Sequence, residues 1–132
     1  MNKPLLSVEN IETYYGPIMA IRGISFEVYS ESIVTILGSN GAGKSTILKT
    51  ISGSINPRKG KIIFEGTEIQ KKDPDKILQL GMSHAPEGRE VFPYCTVLEN
   101  LQMGAYTRSN KLEIQSDLDQ VFEYFPILSE RK

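Results

Sequence analysis

Residues 38–45 read Gly-Ser-Asn-Gly-Ala-Gly-Lys-Ser. The pattern, two glycines with four residues between them and then Lys and a hydroxyl residue, needs a strand before it and a helix after it. Both flanks are present. Ile33-Val34-Thr35-Ile36-Leu37 is rich in β-branched residues, and Ser45-Thr46-Ile47-Leu48-Lys49-Thr50-Ile51 has helical character. Such a loop wraps its backbone closely around an anion because its glycines carry no Cβ. Loop N–H groups and the positive end of the following helix then face that anion. Gly38, Ser39, Asn40, Gly41, Ala42, Gly43, Lys44, Ser45 and Thr46 form the expected phosphate cradle. Lys44 supplies a full positive charge for the outer phosphates and is the expected catalytic residue, while the Ser45 hydroxyl is placed to ligate a bridging Mg²⁺. The competing reading treats Gly38, Gly41 and Gly43 as turn glycines only, and the intact flanks weigh against it.

Length and charge narrow the class. A chain of 132 residues suits one small domain with a modest core. Lys plus Arg is 15 and Asp plus Glu is 16, a balance without the basic footprint expected of a nucleic-acid binder. No apolar stretch approaches transmembrane length, and Met1–Glu9 holds too short an apolar run for a signal peptide. The single Cys95 cannot form an internal disulfide, which fits a reducing cytoplasm, and His84 cannot build a metal site by itself.

Periodicity orders the elements. Leu5–Glu9 reads as a first strand, and Ile24-Ser25-Phe26-Glu27-Val28 alternates as a half-buried strand. The helix after the glycine loop is expected to end near Gly53, and Lys61–Glu65 is a strand turned by Gly66. Asp73 and Pro74 mark the start of a helix that stops at Gly81. Ala85–Pro93 is a loop by composition, and Thr96-Val97-Leu98-Glu99 is a capping box opening a helix to about Ala105. A second helix spans about Lys111 to Phe125, with Ile114, Leu118, Val121, Phe122 and Phe125 as its core-facing stripe.

A glycine loop alone does not choose among NTPases, but its neighbours do. Tyr15-Gly16 lies upstream of Ala20-Ile21-Arg22-Gly23-Ile24-Ser25-Phe26, and Asn56-Pro57-Arg58-Lys59-Gly60-Lys61-Ile62 lies downstream. With the loop between them, this order resembles the ATP-binding subunit of ABC transporters. Residues 86–101, Pro-Glu-Gly-Arg-Glu-Val-Phe-Pro-Tyr-Cys-Thr-Val-Leu-Glu-Asn-Leu, are similar to the branched-chain amino-acid importer subfamily. The resemblance covers essentially the whole chain. It implies an α/β P-loop NTPase nucleotide-binding domain of ABC type, incomplete. Residues 1–95 would be the N-terminal part of the ATP-binding core, with its β-subdomain and P-loop βα unit. Residues 96–132 would begin the helical subdomain.

The resemblance also implies roles. ATP and Mg²⁺ are the expected cofactors. Tyr15 matches the aromatic that stacks on adenine, with Tyr14 beside it as the other available ring. Position 87 matches a loop whose usual Gln reaches the Mg²⁺ and its water. Glu87 stands there instead, either as a metal ligand or as a solvated loop residue paired with Arg89. The family usually has glycine in the turn before the P-loop strand, where this chain has Glu31-Ser32. If that turn needs a positive φ, Ser32 is the residue expected to carry strain. The implied partners are transmembrane permease subunits and a second ATP-binding subunit, with no nucleic acid. The implied location is the cytoplasmic face of the inner membrane, as a peripheral subunit. The signature motif, the acidic strand end and the switch His of the family have no counterpart in residues 1–132. Two alternatives stay open: a non-catalytic nucleotide-binding or interaction fragment with no turnover, and a different small P-loop NTPase. The sheet is expected to expose apolar edges.

Overall fold

The computed structural model describes residues 3–38, 43–85, 87–88 and 91–132. They form two compact units, Met1–His84 and Ala85–Lys132.

The first unit is built on β1 (Leu6–Tyr15), β2 (Ile18–Val28), β3 (Lys59–Phe64) and β4 (Thr67–Glu68), with the helices α1 (Lys44–Ile51) and α2 (Pro74–Gln79). The strands make an antiparallel sheet of order β2-β1-β3-β4. The first strand runs beyond the expected Leu5–Glu9 because a bulge lets its apolar face resume. Val8 is buried, Asn10 adopts φ 47, and Ile11 and Thr13 are buried again. The pairing registers with both neighbours shift across this step. A strict period of two fails there, which hides the continuation from sequence reading. Ser25 braces the bulge. Its hydroxyl accepts from the Asn10 backbone N–H at 2.8 Å and donates to the Asn10 side-chain oxygen at 3.2 Å.

The core gathers Val8, Ile11, Ile21, Ile47, Ile51, Ile62, Phe64, Ile69 and Ile77. Ile47 and Ile51 lie four apart on α1, so one face of that helix buries both. Thr13 and Thr50 are also buried, and their hydroxyls bond each other at 3.0 Å while Thr50 donates to the Thr46 carbonyl at 2.7 Å. A buried hydroxyl is tolerated only when partnered, so this pair fixes where α1 sits along β1. Asp73 occupies the cap position of α2 with Pro74 first in the helix, as expected, although its side chain makes no capping bond.

Ile33–Leu37 departs from expectation. The segment joins no sheet among the described residues, and Ile33 and Leu37 are 97% and 87% exposed. A strand exists only through hydrogen bonds to a neighbour, and among the described residues none lies beside this one. Ile36 alone of the run packs against the core.

The positive φ in the turn before this segment falls on Glu31, at 61°, and not on Ser32. A left-handed conformation costs a non-glycine residue about 1–2 kcal/mol, whereas glycine's added chain entropy costs roughly 0.5–1 kcal/mol. Glu31→Gly should therefore stabilise the chain by about 0.5–1 kcal/mol, read as a higher urea midpoint. An unchanged or lower midpoint would show that the turn is unstrained.

The second unit holds α3 (Val97–Met103), α4 (Lys111–Tyr124) and α5 (Pro126–Glu130). The capping box forms as read. The Thr96 hydroxyl accepts from the Glu99 N–H at 3.0 Å, and the Glu99 carboxylate accepts from the Thr96 N–H at 2.9 Å. The Thr96 backbone bond, then its side chain, holds the Glu99 carboxyl below the usual range. This contribution to the helix start is present above the ordinary carboxylate range and fades as pH falls through the depressed one. Ile114, Leu118 and Val121 of the expected stripe line a cavity of about 230 Å³ with Leu101 and Ala105. Phe125 is exposed, and no described residue of this unit is fully buried.

Candidate functional site

The site is assembled at the start of α1. Gly43 is the cap of that helix at φ 88°, and a Cβ there would lie 3.0 Å from the Ala20 carbonyl oxygen. Strand β2 thus requires a glycine at this position before any ligand is considered. Gly43 has no side chain with which to cap α1, and the macrodipole favours an anion at that end of the helix.

Lys44 opens the helix and its ammonium donates to the Gly38 carbonyl at 2.5 Å. One bond thereby spans the two ends of the glycine loop. An ammonium has three N–H donors, so engagement with Gly38 leaves capacity for phosphate oxygens. Ser45 and Thr46 follow within the first turn of α1. Ser39, Asn40, Gly41 and Ala42, which form the tip of the expected cradle, lie outside the described residues.

The two tyrosines part company. The Tyr15 hydroxyl and the Thr46 hydroxyl are 3.1 Å apart, which ties the end of β1 to the first turn of α1. Tyr15 is nevertheless 46% exposed as a residue, so this bond does not bury it. Tyr14 is engaged elsewhere: the Arg58 guanidinium carbon lies 3.8 Å from the centre of its ring. Strand alternation separates the two rings.

Glu87 belongs to the second unit and is exposed. Its expected partner Arg89 lies outside the described residues. His84 accepts or donates at Nδ1 to the Ser52 hydroxyl at 3.2 Å, a contact just past the end of α1 that sequence reading did not assign. Among the described residues no group of three or more His, Cys, Asp or Glu side chains is placed to hold a metal. The donor set at α1, an ammonium with adjacent hydroxyls, suits instead a triphosphate that brings its own divalent cation. The residues present fit that group.

The family model for ABC transporter matches residues 21–132. The chain belongs to the ABC transporter family. The high-affinity branched-chain amino acid transport ATP-binding protein BraG of Pseudomonas aeruginosa is 43% identical over 127 residues, covering 96% of this ABC chain and 54% of BraG. The ribose import ATP-binding protein RbsA of Yersinia pestis is 37% identical over 106 residues, covering 80% of this chain and 21% of RbsA. A solved ATP-binding subunit of an ABC transporter superposes with a TM-score of 0.81 at 27% identity, covering 96% of this chain and 52% of that one. The chain therefore spans about half the length of BraG and of that structure. Its fold is part of an ABC ATP-binding domain, with the β-subdomain and the first helices in place. No described helix is long and apolar enough to cross a membrane.

Proposed function

We propose that this chain binds Mg-ATP at the start of α1, as the nucleotide-binding part of an ATPase subunit that energises uptake of branched-chain or related amino acids. The observation that carries the reading is the Lys44 ammonium spanning to Gly38, with the exposed Tyr15 held by Thr46 on the same turn. The longer and closer overlap with BraG than with RbsA favours amino acids over sugars as the solute class.

In this reading Lys44 and the first-turn N–H groups of α1 neutralise and orient the phosphates. Ser45 holds the Mg²⁺ that accompanies them, and Glu87 is assigned to the metal by its match to the family's Gln position alone. Tyr15 stacks on the base. Bound ATP supplies the phosphoanhydride whose cleavage powers transport. Residues 1–95 carry the nucleotide, and residues 96–132 begin the helical surface that meets a transmembrane permease. A second ATP-binding subunit and a peripheral place on the cytoplasmic membrane face complete the assignment.

Base stacking on an aromatic is worth about 1–3 kcal/mol, so Tyr15→Ala should weaken ATP roughly five- to 150-fold. GTP should weaken alike, because each base has a π-face. Tyr15→Phe loses only the bond to Thr46, about 1 kcal/mol, and should cost no more than about fivefold. Calorimetric titration of Mg-ATP into the purified chain and its variants is the test. A larger loss from Tyr14→Ala than from Tyr15→Ala would assign the base to the other ring.

A further inference from the structure

Arg58 grips the end of β1 and the turn that follows it. Its backbone N–H donates to the Glu12 carbonyl at 2.7 Å. Its guanidinium carbon lies 3.8 Å from the Tyr14 ring centre, and Nη2 is 3.5 Å from the Gly16 carbonyl. Tyr14 points to one side of the strand and Thr13 and Tyr15 to the other, and Gly16 follows in the turn at φ 58°. On that other side Thr13 bonds Thr50 and Tyr15 bonds Thr46, both on α1. The β1–β2 hairpin tip is therefore clasped from its two faces, by Arg58 on one and by α1 on the other. The tip needs such a clasp, because the β1–β2 register slips between Thr13 and Tyr14, immediately before the functional ring.

We infer that Arg58 is a positioning residue for base recognition, acting through Tyr14 and Gly16 to set the angle at which Tyr15 meets the purine. The inference rests on the ATP-binding reading given above. Arg58 touches no part of the phosphate cradle among the described residues, so its influence is confined to the base. Lysine would keep the charge but lose the flat stacking surface and the fork that reaches Gly16.

The test separates base from phosphate by titrating two ligands, Mg-ATP and inorganic tripolyphosphate. Arg58→Ala should weaken ATP roughly two- to fivefold, the fold-change matching an exposed cation–π contact, and leave tripolyphosphate unchanged. Arg58→Lys should not restore ATP binding. In a Tyr15→Ala background, Arg58→Ala should have no further effect on ATP, since the ring it positions is gone. Equal weakening of both ligands, full rescue by Arg58→Lys, additivity with Tyr15→Ala, or no change in ATP affinity would each overturn the inference. The parent reading fails separately, if Lys44→Ala leaves tripolyphosphate binding intact or if the native chain binds neither ligand.

Discussion

Lys44→Ala is expected to lower Mg-ATP affinity by about tenfold to a hundredfold, in line with the roughly 1.5–3 kcal/mol of a hydrogen bond to a charged group. The side chain is half-buried at the first position of α1, and its ammonium already reaches across to Gly38. Deleting it removes a full positive charge at that helix start and frees the Gly38 carbonyl. The contact to Gly38 is exposed, so the loss in folding stability should be small beside the loss in binding. Titration with a fluorescent ATP analogue reads the affinity, and circular dichroism checks that the helix content is unchanged. Because exposed charges are screened by salt, the gap between native and variant should narrow as ionic strength rises. Unchanged affinity would mean that nucleotide binds elsewhere on the chain.

The geometry at the start of α1 was legible in the sequence because its signal is local. Loop glycines, a lysine and a hydroxyl at fixed spacing need no tertiary information to be read, and Gly43–Thr46 stand at the start of α1 as the pattern requires. The capping box at Thr96 and the proline start of α2 were legible for the same reason. Contacts between distant residues were not. The stretch around Arg58 marks the family but not a contact, and its place against Tyr14 follows only from the pairing of β3 with β1. Alternation along β1 sends the Tyr14 and Tyr15 rings to opposite sides, but only the folded neighbours, Arg58 and Thr46, say which side is which. The strand expected at Ile33–Leu37 shows the opposite limit. Its residues have strand propensity, but propensity does not supply a neighbour. The short helix α5 escaped notice because Pro126, which ends α4, also serves as the first residue of the next helix.

Gly60→Ala should damage the sheet far more than alanine at an unhindered glycine. Gly60 lies in β3 at φ 99°, opposite the bulge at Asn10. A Cβ there would lie 2.5 Å from the carbonyl oxygens of both Glu9 and Asn10. Those atoms are backbone of a strand paired on both sides, so no flexible side chain can yield to make room. Gly66 provides the control. It also has a positive φ, 83°, yet an added Cβ meets open space. Gly66→Ala should thus show the conformational cost alone, about 1 kcal/mol. Gly60→Ala adds a clash, and the total should exceed about 3 kcal/mol, a large part of a small domain's stability. Urea denaturation of the two variants beside the native chain measures the difference. The consequence reaches the site, because displacing β3 from the bulge also moves Arg58 two residues away and loosens the hairpin tip under Tyr15. At temperatures where Gly60→Ala remains folded, its ATP affinity should fall while its tripolyphosphate affinity holds. Equal destabilisation by the two substitutions would show that β3 can withdraw from β1 without cost, and that the close approach at the bulge does not constrain the sheet.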